Sequence, residues 1–305
     1  MLALLRPGRL AFTVALTVAL AAIAFVVLAP GNLPASDTAA EQAPSAARVE
    51  QRRILSASLG REMPFQVYLP PGYDSNQAER YPVLYMLHGL GGNERDWERL
   101  GLFATATSLI QAGDIQPLII VTPAGESGYW VDHAGNGPRF GTYVARDLVE
   151  TIDAEYRTHA ARSARAIGGM SMGGHGALQL ALNNPGEFSI VGAHSVALRR
   201  YEQAFPYYGN RRYFESNDPV SICEKYATLA RNFTIWLDIG RDDVWFPGAK
   251  AFEAQLSNQG IPHEWHPLDG GHDAAYWSAH LGDYLHFYAR AFAQLDTSPV
   301  ALAQH

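Results

Sequence analysis

One nine-residue run limits the fold of this chain more than any other segment: Gly168-Gly169-Met170-Ser171-Met172-Gly173-Gly174-His175-Gly176. Ala164-Arg165-Ala166-Ile167 before it reads as a short strand, and Ala177-Leu178-Gln179-Leu180-Ala181-Leu182 after it reads as a helix. A serine in the frame G-x-S-x-G between strand and helix is the sequence form of a nucleophile elbow. The turn is so tight that the residues two before and two after the serine have no room for a Cβ. The serine itself must take a strained backbone conformation, which holds its Oγ above the sheet beside the first N–H groups of the helix. Five-residue patterns also arise by chance. The flanking strand and helix are what make Ser171 a candidate nucleophile.

Strand and helix signals alternate along most of the chain. Residues 53–58 and 63–69 flank Gly60 and predict an antiparallel hairpin at a sheet edge. Short apolar runs at 81–87, 118–121, 166–167, 188–191, 233–237 and 263–268 predict further strands. Helical spacing predicts helices over 102–112, 141–156, 250–259 and 274–293. Short apolar strands between helices imply an α/β domain whose sheet is mostly parallel and covered on both faces. In such sheets, ligands bind beyond the carboxyl ends of the strands.

The first thirty residues are different. Arg6 and Arg9 precede an uncharged run from Leu10 to Pro30, about the length of a membrane-crossing helix. Residues 1–30 are therefore expected to be a signal anchor or a signal peptide, with the remaining chain beyond the cytoplasmic membrane. Residues 31–50, rich in Ala, Pro and Ser, have linker composition. That leaves 51–296 as the catalytic domain and 297–305 as a tail. A net charge of -7 argues against a nucleic-acid partner, which needs a basic face. The single cysteine, Cys223, has no partner for a disulfide or a metal site and is expected to be buried.

A serine hydroxyl needs a base, and the base needs a carboxylate that fixes its tautomer. In elbow-bearing sheets the chain order is Ser, acid, His, each on a loop after a strand. After the strand near 237 comes Asp238-Ile239-Gly240-Arg241-Asp242-Asp243, and after the strand near 268 comes Asp269-Gly270-Gly271-His272-Asp273. His272 is the candidate base because it alone stands on a glycine-bearing loop between strand and helix. Asp238, Asp242 and Asp243 all remain open as the acid, and the last two are nearly equal as neighbours in a turn. His263-Glu264-Trp265-His266 lacks the spacing of a helical zinc pair, so no metal is expected.

The oxygen of an attacked carbonyl needs fixed donors. The N–H of Met172 is one candidate. The N–H of Leu90, in His88-Gly89-Leu90-Gly91-Gly92, is the other, with the His88 ring expected to anchor that loop. Tyr129-Trp130 and Trp245-Phe246 follow strand-end loops, so Tyr129, Trp130, Trp245 and Phe246 are candidates for lining a substrate pocket. Tyr201, Phe205, Tyr207, Tyr208, Tyr213 and Phe214 fall in an insertion, 199–214, that is expected to cap the site. Such aromatic residues more often pack a cap to its body than contact ligand.

Leu87-His88-Gly89-Leu90-Gly91-Gly92, residues 117–123, Gly169-Met170-Ser171-Met172-Gly173-Gly174 and Gly271-His272-Asp273 together resemble the putative esterase family of α/β-hydrolases. That family includes feruloyl and acetyl xylan esterases, S-formylglutathione hydrolase and the antigen 85 mycolyltransferases. The resemblance implies the α/β-hydrolase fold with a short cap insertion, and a triad of Ser171, Asp243 and His272. It implies Leu90 and Met172 as oxyanion donors. The expected function is a serine carboxylic ester hydrolase working through an acyl-enzyme on a small-molecule or carbohydrate-linked ester, with no cofactor. An acyltransferase to a sugar acceptor and an inactive binding scaffold are the alternatives.

Overall fold

Five-residue runs such as Val83–Leu87 and Ile119–Pro123 have no polar face, so as strands they must be covered on both sides. The computed structural model describes residues 45–296 and places these runs at the centre of one eight-stranded sheet. Its strands are β1 (Arg48–Ser56), β2 (Arg61–Leu69), β3 (Val83–Leu87), β4 (Ile119–Pro123), β5 (Arg165–Met170), β6 (Ile190–His194), β7 (Thr234–Gly240) and β8 (Glu264–Leu268). Their spatial order is β1-β2-β4-β3-β5-β6-β7-β8. β1, β2 and β4 pair antiparallel, and all pairs from β4-β3 to β7-β8 are parallel. This is the expected α/β architecture. Apolar layers lie on both faces, one around Tyr143, Leu178 and Phe252, the other around Trp97, Tyr284 and Phe292.

The hairpin turns at Gly60, whose φ of +65° suits glycine. Its first strand starts at Arg48, paired with Leu69, inside the segment expected to be linker. β1 is an edge strand with mostly polar, exposed residues, so composition concealed its start.

Helix Leu102–Ala112 stands where its spacing predicts. The helical run 140–155 is continuous, with a π-helical stretch at Tyr143–Leu148. Helix Phe246–Asn258 begins earlier than expected because Pro247 occupies its first turn, where a missing N–H costs nothing. The predicted closing helix 274–293 is instead two helices, Ala274–Ala279 and Leu281–Asp296, broken at His280. Asp273 caps the first, accepting the Tyr276 N–H at 3.0 Å.

Helix Leu281–Asp296 lies against the sheet and drives Tyr288 into it. A Cβ on Gly168 or Gly192 would come within 1.8 or 2.0 Å of the Tyr288 hydroxyl, so only glycine fits at either position. Cys223 is buried in helix Pro219–Lys225, and desolvation pushes its thiol up to about 12. The apolar segment expected to be a membrane anchor and the tail 297–305 lie outside the described residues. Among the described residues, no helix is long and apolar enough to cross a membrane.

His175 is fully enclosed, and burial holds its pKa at about 4 against an ordinary 6.5. The unfolded chain therefore takes up a proton that the folded one refuses. The stability tied to this ring is complete above pH 7 and drains away as pH falls through 6.5 toward 4. Between pH 7 and pH 5 the loss is about 2 kcal/mol. Urea unfolding of wild type and His175→Gln at both pH values checks this: the difference between the two proteins should change by that amount, and a constant difference would refute it.

Candidate active site

Ser171 has φ 56° and ψ -115°, a conformation that non-glycine residues rarely adopt, and it leads directly into helix Met172–Asn183. The glycines around it act by what they lack. A Cβ on Gly169 would lie 2.5 Å from the Gly173 backbone, and one on Gly173 would lie 2.3 Å from the Leu87 carbonyl oxygen. The elbow helix can approach β3 and β5 so closely only because both side chains are absent. The strained turn is tied down on each side. The Ser171 N–H donates to the His194 carbonyl at 2.8 Å, and the Ala197 N–H donates to the Ser171 carbonyl at 3.2 Å.

The loops after β7 and β8 close on this serine. His272 Nε2 lies 2.8 Å from Ser171 Oγ, and His272 Nδ1 lies 2.7 Å from Asp243 Oδ2. The buried Asp243 carboxylate also accepts the Trp245 N–H at 2.8 Å. With Nδ1–H donating to the carboxylate, Nε2 presents its lone pair to the serine hydroxyl. Asp242 is exposed, and its N–H donates to the Gly270 carbonyl at 3.0 Å. The loops are locked together there, since a Cβ on Gly240 would strike the Gly270 carbonyl oxygen at 2.2 Å. The Trp277 and His272 rings meet nearly perpendicular, with centroids 5.2 Å apart.

Asp238, the third acidic candidate, serves elsewhere. It is buried beneath the site and accepts from His194 Nδ1 (2.6 Å), Trp236 Nε1 (2.7 Å), Tyr276 OH (2.9 Å) and Tyr284 OH (3.0 Å). Burial first, then the Asp238 charge, raises the pKa of both tyrosines, so they stay protonated donors. His263 and His266 do not converge. The His263 ring hydrogen-bonds the Ile261 carbonyl at 2.8 Å, and His266 stacks on Trp236 at 3.6 Å.

The loop after β3 brings Leu90 to the mouth of the site. A Cβ on Gly89 would lie 3.6 Å from Ser171 Cβ. His88 is buried as an anchor: Nδ1–H donates to the Gly89 carbonyl at 2.7 Å, and Nε2 accepts the Gly125 N–H at 2.9 Å. Burial lowers its pKa and keeps it neutral. The Trp97 and Trp130 indoles hold the carbonyls of Leu87 and His88 at 3.1 and 3.3 Å. Met172 is the first residue of the elbow helix, where an N–H has no intrahelical acceptor.

A cavity of about 500 Å³ opens over Ser171 and His272, walled by the Gly89–Asn93 loop, Tyr129, Arg199, Trp245 and Trp277 among others. Of the four aromatic residues expected in the pocket, Tyr129 and Trp245 are there. Trp130 and Phe246 are not. Tyr129 and Trp130 both have positive φ (54° and 58°), which turns Tyr129 to the cavity and Trp130 into the core under the elbow. Gly176 makes room for that indole, because a Cβ there would lie 2.5 Å from it. Phe246 packs toward Trp265 at 6.3 Å. The insertion aromatics mostly pack the cap: Tyr208 and Phe214 are buried edge to face at 5.2 Å, and Tyr207 stacks on His133 at 4.0 Å. Sequence reasoning missed Trp277 and Arg199 in the wall. The only signals were their positions, five residues after His272 and five after the end of β6.

Gly173→Ala places its methyl against backbone that cannot yield, so a loss of about 4 kcal/mol or more is expected, seen as a fall in Tm of about 10 °C. Gly186→Ala, whose Cβ meets nothing within 4 Å, is the control. Equal melting of the two variants would contradict the steric account.

Comparison with known proteins identifies the family and the fold. Residues 56–288 match the family described as "Putative esterase". Esterases of two Mycobacterium tuberculosis strains are each 29% identical over 255 residues, 72% of this chain and 54% of theirs. The chain thus spans about half the length of those curated relatives. An acetyl esterase of Caldicellulosiruptor saccharolyticus is 25% identical over 225 residues, 68% of this chain and 82% of that one. Among solved structures, a ferulic acid esterase superposes with a TM-score of 0.74 at 28% identity, over 81% of this chain and 99% of that one. An S-formylglutathione hydrolase from Agrobacterium tumefaciens shares the fold with a TM-score of 0.69 at 24% identity, over 81% and 96%. The family match runs from the end of β1 into the last helix and takes in all three loops that meet at Ser171; the chain belongs to this esterase family of α/β-hydrolases.

Proposed function

We propose that this chain is a serine carboxylic ester hydrolase that works through an acyl-enzyme, with Ser171 as nucleophile, His272 as general base and acid, and Asp243 as the carboxylate behind it. The reading rests on the unbroken hydrogen-bonded line from Asp243 through His272 to Ser171, at 2.7 and 2.8 Å. Ser171 Oγ attacks the ester carbonyl carbon while His272 Nε2 takes its proton, and Asp243 stabilises the imidazolium that forms. The carbonyl oxygen becomes an oxyanion facing the N–H groups of Leu90 and Met172. Loss of one such donor typically costs about 10²–10³ in rate. As the tetrahedral species collapses, His272 returns the proton to the departing alkoxide, leaving an acyl ester on Ser171. Water then attacks that ester with the same base, and the acid departs.

Small-molecule or carbohydrate-linked esters are the substrate class this reading carries. The place of action that the sequence favours is outside the cytoplasmic membrane, with Arg6 and Arg9 inside and the run Leu10–Pro30 as an anchor, or cleaved on secretion. Protease added to spheroplasts should then remove the domain, and full protection would exclude this placement.

A fluorophosphonate probe should label Ser171, and Ser171→Ala should lose both label and turnover of a short p-nitrophenyl ester. Asp243→Asn is expected to lower kcat by about 10⁴-fold, because the ring would lose its enforced tautomer. Asp242→Asn should stay within about 3-fold, since exposed charges away from such lines have small effects. Steady-state rates of the two variants decide the acid, and the reverse order would move it to Asp242.

A further inference from the structure

The cavity above Ser171 contains a cation that no carboxylate neutralises. Arg199 leaves the end of β6 and lines the cavity with Ser171, Tyr129 and Trp245. Its guanidinium carbon lies 5.6, 4.9 and 5.1 Å from the ring centroids of Tyr129, Phe205 and Trp245. Nε–H donates to the Tyr129 hydroxyl oxygen at 2.8 Å. Among the described residues, no carboxylate pairs with Arg199, and Nη1 and Nη2 have no hydrogen-bond partner. The other guanidinium in the same wall, Arg99, is matched by Asp96 at 2.8 Å. Asp243 stands behind the His272 ring rather than in the cavity wall.

Three aromatic rings hold the guanidinium plane in place, so little side-chain freedom remains to be lost when a ligand arrives. A half-buried arginine with both Nη groups free is suited to a carboxylate, which it can grip with two parallel hydrogen bonds. The chain as a whole carries a net charge of -7, so this cation is not part of a general basic surface. We infer that Arg199 is a specificity-determining residue and that the preferred substrates are esters carrying a second, free carboxylate in the acid or the alcohol part. The inference rests on the ester-hydrolase reading and deepens it. A purely structural alternative exists, in which Arg199 only staples the insertion to the body through its rings.

Matched esters separate the two. In the acid-side arm, monomethyl glutarate, adipate and pimelate are compared with methyl pentanoate, hexanoate and heptanoate. In the alcohol-side arm, 4-acetoxybutanoate is compared with butyl acetate. Wild type should favour the carboxylate-bearing member by about 10- to 100-fold in kcat/KM in one arm, the usual range for hydrogen bonds to a charged group. The responding arm says on which side of the ester Arg199 acts. Arg199→Met should bring that ratio to about 1, and Arg199→Lys, which keeps the charge without the fork, should leave it in between. A staple would lower both members of each pair alike and leave the ratio unmoved.

The same contrast is read without turnover in Ser171→Ala, by quenching of the tryptophan fluorescence of the cavity wall. Monomethyl adipate or 4-acetoxybutanoate should bind at least about tenfold more tightly than its neutral partner, and Arg199→Met in that background should erase the difference. Preference in binding without any hydrolysis by wild type would sink the hydrolase reading and keep the anion subsite. Absence of preference in both rates and binding overturns the inference itself.

Discussion

A single buried carboxylate supports everything above it. Asp238, on β7, is sealed from water, and an ionised group there is tolerable only if its oxygens are fully occupied. They are, by donors from four separate elements: His194 at the end of β6, Trp236 on β7 itself, Tyr276 in the helix after His272, and Tyr284 in the last helix. On its far side the His194 ring meets the Tyr288 hydroxyl at 3.0 Å, and its own carbonyl receives the Ser171 N–H. The strained serine and the helix behind the histidine loop therefore hang from the same anchor. Removing one donor would leave a buried acceptor unpaired, and the cost would reach the loops at the end of the sheet.

Around that anchor the site is shaped by missing atoms. Gly169 and Gly173 let the elbow helix touch β3, and Gly240 lets the acid loop cross the histidine loop. Gly168 and Gly192 leave a slot for the Tyr288 hydroxyl. Each absence permits a contact between backbones or with a ring that rigid neighbours then enforce. Ser171 holds an unfavourable φ because the strand before it, the helix after it and the His194 carbonyl leave it no relaxed alternative.

The parts of this design that repeat a local rule were legible in the sequence. Ser171 is announced by its glycines and by the change from strand to helix, and His272 by its place on a glycine loop after the last strand. Their parallel sheet followed from short apolar runs between helices. Asp243 could not be separated from Asp242 locally, because which of two adjacent turn residues faces inward depends on the crossing of two loops distant in sequence. Trp130 was misjudged for a similar reason: two consecutive left-handed residues rotate it away from where its position in the loop would aim it. The break at His280 was hidden because both flanking segments keep helical spacing. The start of β1, before residue 53, escaped because an edge strand need not be apolar. Arg199 carries no motif at all, and only the packing of three rings around it distinguishes it from a solvated surface arginine.

Cys223 has a practical corollary. The chain's one sulfhydryl is enclosed in a helix and held protonated far above neutral pH, so the folded protein offers no thiolate to an alkylating reagent or a disulfide partner. Oxidising surroundings leave it unmodified for as long as it stays folded, and covalent dimers through sulfur must wait for unfolding. It also makes the native sequence a blank background: one cysteine placed at an exposed position such as Leu55 would be the single attachment point for a fluorophore or spin label.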